Sequence, residues 1–551
     1  MSFSKYQRLT FCLLTALLMH NPLSAEAAAS LEKPGLQIEI GEAQSKINIQ
    51  NEDKAAPSTA GSTATSFIGA IRLDCEGVKL GDYSKILAKY ENRRISMAEL
   101  DKLSKILTQS LRKDGYLAAY VYLPPQTLSE GGTLRLNVLP GRYGKINIVN
   151  ESSLPTGVAR GYLAGLKPGE IVRSLSLETA MQKLTTLGGI QVMGMLAAGE
   201  TTGTTDLTVR IVKDRVTHEV LYAENYGTTN AGRYRYGLQG DVQFPNLASA
   251  LNYALVLSNG GQHNYNLNYS QRLGRSGTKL GLNISRGDYE LGGAYRFLQA
   301  QGKVDTISVC GSTPIYKGGR DSLNISYGYN YHAIEDEQKV FNISMKKHSH
   351  SLFAGLNGAK RRGKAAFDYD ITGYWGRLGF DNFYSKLVYG GSDTEGSFCK
   401  TVFSANYLQT FDHHFDMLLK YTGQIANNNL DGSEEIVLGG INGVRAYPTG
   451  IGSGDEGYVA NLELRYHTKV PGLILSTYLD MGHVKVTHDS GNRSYGGETA
   501  KGWGIGAYYT KSQDYFLRLN YARRIGGLNY YTNDKDAKAK DRIWFMLGKM
   551  F

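Results

Sequence analysis

The sequence lacks the long apolar runs with which helical proteins cross membranes. Beyond the first 29 residues no apolar stretch approaches the ~20 residues of a spanning helix, and the mean hydropathy is −0.32. A helical membrane protein is excluded. A β-barrel is not, because it turns every second residue away from lipid and needs no continuous apolar run. Cysteine is scarce too, with four in 551 residues. Cys12 falls in an N-terminal leader, which leaves Cys75, Cys310 and Cys399 as an odd set; a Cys310–Cys399 bridge and three free thiols both stay open. No Ser/His/Asp set, catalytic carboxylate pair or Walker motif stands out, which argues against an enzyme, against ATP and against a cofactor. The formal charge is +11, but its Lys and Arg are scattered rather than gathered in a stripe. Nucleic acid is therefore not an expected partner, whereas anionic headgroups and polar polypeptide are.

What is abundant is glycine and tyrosine, 66 and 38 residues. Tyrosine suits the belt where a membrane meets water, and glycine suits tight turns and crowded barrel interiors. The order along the chain sharpens this. Residues 1–29 read as a secretory signal: Lys5 and Arg8, the apolar Leu9 to Met19, then the cleavage-like Ser24-Ala25-Glu26-Ala27. Residues 30–66 are a polar extension ending in the low-complexity run Ala55 to Thr65, read as a flexible linker.

Residues 67–140 have the pattern of a small α+β domain. A strand at Ile71 to Leu73 precedes a helix near Ser84 to Tyr90. Ser96 with Glu99 marks the start of a second helix that buries Leu100, Leu103, Ile106, Leu107 and Leu111, and Gly115 stops it. A strand from Tyr116 to Leu123, the turn Pro124-Pro125-Gln126, and a strand with Leu134, Leu136 and Val138 in alternation complete it. A second such unit fills 141–215 with no obvious linker: a strand Lys145 to Val149, a helix Ala159 to Leu166, a helix bearing Leu175, Leu177, Met181, Leu184 and Leu187, and strands Gln191 to Leu196 and Thr205 to Val212.

From Val216 the period becomes two. Tyr265, Leu267 and Tyr269 alternate with Asn264, Asn266 and Asn268; Leu323, Ile325, Tyr327, Tyr329 and Tyr331 are separated by polar residues and glycine. Such dyads put an apolar face on lipid and a polar face on a lumen. Breaks such as Gly274 to Gly277 and Phe411 to His414 read as short turns, and Gly390 to Gly396 and Lys485 to Lys501 as long loops. The 336 residues from 216 to 551, at roughly 20 per strand and connection, give on the order of 16 strands.

One stretch stands apart, Gly439 to Tyr466. It carries Val444-Arg445-Ala446-Tyr447-Pro448, a Gly/Ser/Asp segment, and an alternating return strand from Tyr458 to Tyr466, as in a long hairpin. Tyr478-Leu479-Asp480-Met481-Gly482 places a carboxylate on the next strand, where an in-folded loop 440–457 would bring Arg445 to Asp480. Gly450 to Gly457 faintly suggests a phosphate loop, but it leads into a strand rather than a helix, so its glycines read as flexibility at a loop tip. Asp412, His413, His414 and Asp416 read as a solvated turn rather than a metal site, since adjacent histidines in a strand point to opposite faces.

The Arg445 segment resembles the VRGY loop of the Omp85 superfamily, and Tyr478 to Gly482 resembles its F-x-D-x-G motif, with Ala446 in place of the usual Gly and Tyr478 in place of Phe. Residues 67–140, with a Gly-Tyr strand, a Pro-x-Gln turn and an L-x-L-x-V strand, resemble the POTRA domain of the two-partner secretion transporters, the TpsB proteins of haemolysin secretion type. The resemblance implies two periplasmic POTRA domains, 67–140 and 141–215, followed by a 16-stranded transmembrane barrel, 216–551, in the outer membrane of a Gram-negative bacterium. It implies a monomer that secretes an exoprotein, with Arg445 and Asp480 locking the loop and Val444, Ala446, Tyr447, Tyr478 and Gly482 completing the motif. Leu177, Met181 and Leu184 are the expected apolar contacts for unfolded cargo, and Phe551 the expected signal to the barrel-assembly machinery. Lipid, cargo and that machinery are the expected partners. The resemblance leaves open whether 30–66 holds a plug helix, because Pro34-Gly35 interrupts it and Leu36 to Ile40 alternates like a strand. An assembly factor of the same superfamily and a passive porin are the rival readings.

Overall fold

The computed structural model describes residues 46–49 and 65–551 except 76, 77, 79, 128, 319, 320, 490–496, 512, 513 and 527–534. The expected leader with Cys12, the segment Leu36 to Ile40 and any plug around it lie outside these residues. The described residues form two units, one within 41–215 and one from 216 to 551.

The first unit holds the two small domains. Ser96 is extended, its hydroxyl accepts the Glu99 N–H at 3.3 Å, and the Glu99 carboxylate accepts the Ser96 N–H at 2.9 Å. This reciprocal cap opens the helix Met97–Lys113, whose Leu100, Leu103, Leu107 and Leu111 are buried. Gly115, at φ +94, ends it in a conformation that glycine alone adopts freely. The helix covers a three-stranded sheet with Thr133–Leu139 in the middle, parallel to Ala70–Cys75 and antiparallel to Tyr120–Tyr122. Leu134, Leu136 and Val138 point into its core. The strand expected from Tyr116 begins only at Tyr120, because Ala119 N–H turns back to the Tyr116 carbonyl. The helix expected to reach Tyr90 spans Ser84–Leu87.

The second domain repeats the plan with strands Arg142–Glu151, Ile190–Ala198 and Thr204–Lys213 and helices Thr156–Leu163 and Ser174–Thr185. Its sheet gains a fourth strand from the polar N-terminal extension: Lys46–Ile49 runs parallel to Ile190–Ala198, from Lys46 opposite Met193 to Ile49 opposite Leu196. The expected linker also ends early, since Thr65 already belongs to the strand Thr65–Ile68. The two domains join without a spacer. Gly141, at φ +70, accepts the Val172 N–H, and a Cβ there would lie 2.4 Å from the Ala118 carbonyl oxygen. The Arg173 guanidinium lies 4.2 Å over the Tyr116 ring.

The second unit is a closed barrel of sixteen strands, each paired antiparallel with its neighbours. Tyr265, Leu267 and Tyr269 face outward, 40–46% exposed, while Asn268 between them is 3% exposed. The first strand, Thr217–Glu224, closes the ring on the sixteenth, Asp541–Met550, through the pairs Val220 opposite Met550 to Glu224 opposite Met546. Asn225 adds one more rung with its side chain, donating to the Ile543 carbonyl at 2.9 Å and accepting the Phe545 N–H at 2.8 Å. Phe551 N–H donates to the Glu219 carbonyl at 2.9 Å.

Cys310 and Cys399 lie on the sixth strand, Ala300–Gly318, and the tenth, Gly396–Thr410, and are not joined by a disulfide, which decides against the Cys310–Cys399 bridge. Asp412 accepts the N–H groups of His414 and Phe415 in a turn, while Asp416 pairs with Arg465 and His467. The capping box generates a prediction. Ser96→Ala should lower the local stability of the helix Met97–Lys113 by about 1 kcal/mol, speeding its amide hydrogen exchange roughly fivefold in the full-length protein.

Candidate functional site

The eleventh strand, Phe415–Ala426, and the twelfth, Glu456–His467, are joined by the long loop 427–455, which folds inward. Ile436–Val437 and Ser453–Gly454 pair as a short hairpin at its neck. The segment Gly450 to Gly457 is therefore not the free tip its composition suggested. Gly452, at φ +70, accepts the Leu438 N–H at 2.7 Å, and a Cβ on Gly454 would lie 2.3 Å from the Lys485 carbonyl oxygen. Its glycines serve close packing, not freedom.

At the far end of the hairpin Arg445 is 6% exposed. Its Nε and Nη2 donate to the two oxygens of Asp480 at 2.9 and 2.8 Å, in the two-pronged geometry that suits a planar guanidinium. Its backbone N–H adds a third bond to Asp480, at 3.0 Å. Nη1 donates to Glu463 at 2.8 Å, and the guanidinium carbon lies 3.2 Å from the centre of the Tyr478 ring. The Arg445 carbonyl accepts the Trp544 indole N–H at 2.7 Å. Asn461 donates to both Asp480 and the Gly443 carbonyl, at 2.8 and 2.9 Å. Burial alone would lower the Arg445 pKa; the bonds to Asp480 and the charges of Asp480 and Glu463 more than reverse this and raise it above the ordinary value.

The wall is shaped to receive the loop. Tyr478, Asp480 and Gly482 occupy alternate positions of the thirteenth strand, Leu473–Lys485, and face the lumen, while Leu479 and Met481 face outward, 55% and 41% exposed. A Cβ on Gly482 would lie 2.8 Å from the Leu438 side chain of the loop. A Cβ on Gly502 would lie 2.6 Å from the Ala446 methyl, so Gly502 makes the room that the extra methyl of Ala446 requires. A Cβ on Gly504 would lie 2.4 Å from the Tyr478 ring, which fills that space under Arg445. Val444, Ala446 and Tyr447 pack with Val459, Tyr478 and Val484 in one buried cluster.

The structure thus brings together Val444, Arg445, Ala446, Tyr447, Tyr478, Asp480 and Gly482. Sequence reasoning missed Glu463, Asn461, Trp544, Gly502 and Gly504. Asn461 and Glu463 had a signal, since they sit on the polar phase of the strand that leaves the loop. Trp544 and the two glycines, far along the chain, had none. The expectation for the helix of the second domain is overturned. Leu177, Met181 and Leu184 are each 0% exposed, because the apolar stripe of their helix faces the core of its own domain and cannot touch cargo. On that helix Leu175, 53% exposed, is the apolar side chain on the outside.

A closed sixteen-strand ring around a polar lumen, with a buried arginine loop inside it and two small α+β domains preceding it in the chain, is the architecture of an outer-membrane transporter. Residues 203–509 match the family described as haemolysin secretion/activation protein ShlB/FhaC/HecB, and residues 71–141 match the ShlB-type POTRA domain. The chain belongs to that family. It is similar to the heme/hemopexin transporter protein HuxB of Haemophilus influenzae, at 25% identity over 484 residues, covering 85% of this chain and 84% of that one. It is also similar to the outer membrane transporter CdiB of Dickeya dadantii, at 24% identity over 436 residues and 73% of each chain. The solved structure of CdiB from Escherichia coli has the same fold, with a TM-score of 0.64 at 18% identity over the full length of both chains. The protein is a two-partner secretion transporter of the outer membrane, with its POTRA domains in the periplasm, and it works with a secreted exoprotein.

The seat generates a prediction. Asp480→Ala leaves the guanidinium with Glu463 as its one carboxylate partner and should loosen the loop by about 3–5 kcal/mol, and Gly502→Ala, whose added methyl would meet that of Ala446, should loosen it less. Trypsin should cleave after Arg445 in the folded barrel of both variants, faster in Asp480→Ala, and leave the parent protein intact there.

Proposed function

We propose that the exoprotein is caught unfolded by the POTRA domains and crosses the lumen once the Arg445 loop leaves its seat. The observation that carries this reading is the seat itself. Two carboxylates, an aromatic face, an indole N–H and two glycine-sized recesses are committed to one arginine loop inside the lumen of the barrel. A loop needed merely to fill a hole would not require a charge held in one geometry.

Capture is read as strand addition, in which an extended segment bonds through its backbone to a sheet edge and little sequence is specified. The Lys46–Ile49 strand supports this, because it already lies parallel on the edge of the second domain as such a segment would. Cargo would displace it. Apolar contact then comes from outward residues such as Leu175 rather than from the buried Leu177, Met181 and Leu184.

The transporter acts as a monomer in lipid, without catalysis, cofactor or nucleotide, and folding of the cargo outside gives the movement its direction. The outward Tyr and Leu residues of the strands meet lipid, and Phe551, 46% exposed beside the first strand, is offered to the assembly machinery. Arg445→Ala should lower surface-exposed exoprotein several-fold while the amount of folded barrel stays near that of the parent. Unchanged export at unchanged barrel level would remove the loop from the mechanism.

A further inference from the structure

Ahead of the Arg445 seat the loop descends past a second set of buried charges, on a different wall and with the signs exchanged. Lys347, on the eighth strand, Ile343–Arg362, is 1% exposed and donates to both oxygens of the loop residue Asp431, at 3.0 and 2.7 Å. Its ammonium lies 4.5 Å from the centre of the Tyr389 ring. Lys400, on the tenth strand, bonds the Glu434 carboxylate at 2.8 Å and the Glu434 carbonyl at 2.9 Å. Ser349 on the eighth strand donates to the same carboxylate at 3.2 Å, and Gln424 on the eleventh to the same carbonyl at 2.8 Å.

Here the wall supplies the cations and the loop the anions; at the Arg445 seat it is the reverse. In the ring of sixteen, the eighth strand stands opposite the sixteenth, whose Trp544 holds the Arg445 carbonyl. The Arg445 charge itself is held by Glu463 and Asp480 on the twelfth and thirteenth strands, so the loop is fastened to the wall at separate points along the arc from the eighth strand to the sixteenth. Burial would raise the Asp431 carboxyl, but the Lys347 ammonium and the Ser433 hydrogen bonds more than reverse this and hold it below the ordinary carboxylate value. The neighbouring Glu435 is pushed up to about 8, by burial first and by Asp455 and Asp431 after it, so near neutrality it adds little negative charge to compete for Lys347.

We infer that Lys347 and Lys400 are positioning residues of a second latch, and that the loop is a strap which must be released at both walls before a polypeptide can pass. The inference rests on the transport reading above. Letting go of Arg445 alone leaves the arm 427–438 fastened across the opening. Letting go of Lys347 and Lys400 alone loosens that arm while the hairpin end stays seated.

Single-channel recording of the purified full-length protein in planar bilayers tests this without cargo. Lys347→Met should raise open-state occupancy on the order of tenfold, since the carboxylate it abandons is buried. Adding Arg445→Ala should raise the unitary conductance above that of either single variant. The reversed pair Lys347→Asp with Asp431→Lys should gate closer to the parent than either reversal alone. Barrel assembly is checked in each variant by its heat-modifiable migration on gels. If Lys347→Met does not assemble, Asp431→Asn with Glu434→Gln, which alters only the loop, takes its place with the same expected rise. Parent-like gating of whichever assembled variant is recorded overturns the latch. The transport reading is judged separately, by exoprotein export in Arg445→Ala: unchanged export with altered gating in the latch variants would sink that reading and leave the strap standing.

Discussion

In hydrocarbon a peptide group has no water to turn to, so every backbone N–H and C=O that crosses a bilayer must find a partner within the protein. Strands meet that demand only when the sheet has no edge. Closure of the first strand on the sixteenth, with Asn225 extending the ladder by its side chain, is therefore the condition on which the rest depends. It forces the alternation of Tyr265, Leu267 and Tyr269 with asparagines, and it leaves a polar interior too wide for side chains alone to fill. That interior is where irregular backbone is tolerated, because there it lines a cavity rather than facing lipid.

A loop in such a space gains less from apolar burial than a core segment does, so its hold depends more on directed contacts. At Arg445 the two-pronged bond to Asp480, the bond to Glu463 and the Tyr478 face combine with the small apolar cluster of Val444, Ala446 and Val459. Each carboxylate is costly alone and acceptable only with its partner. The same reasoning applies at Lys347 and Asp431, and it explains why both sets of charges are nearly excluded from solvent.

The period-two pattern made the barrel legible, because membrane and lumen impose opposite polarities on adjacent residues. The strand number followed from length, and the pairing of Arg445 with Asp480 from two short motifs. The helix of the first POTRA domain was legible from Ser96 and Glu99, where the chemistry is local. What was not legible depends on distance along the chain: Trp544 lies 99 residues from Arg445, and nothing near either residue names the other. The reading of Leu177, Met181 and Leu184 failed for another reason. A helical apolar stripe reports a buried face, and the sequence alone does not say whether its own sheet or a passing polypeptide does the burying. The strand at Lys46–Ile49 was missed because its neighbourhood is polar and its partner edge was needed to order it.

Ala446 and Gly502 have a consequence for how this loop relates to those of similar transporters. The methyl on one and the missing methyl on the other are complementary shapes, so the fit is a property of the pair and not of the loop. A loop from a transporter with glycine at the first position would leave a void against this wall, and this loop set against a bulkier wall residue would collide. Lid and lining in this protein are therefore a matched lock and key, and moving the loop into another barrel calls for moving the facing wall residue with it.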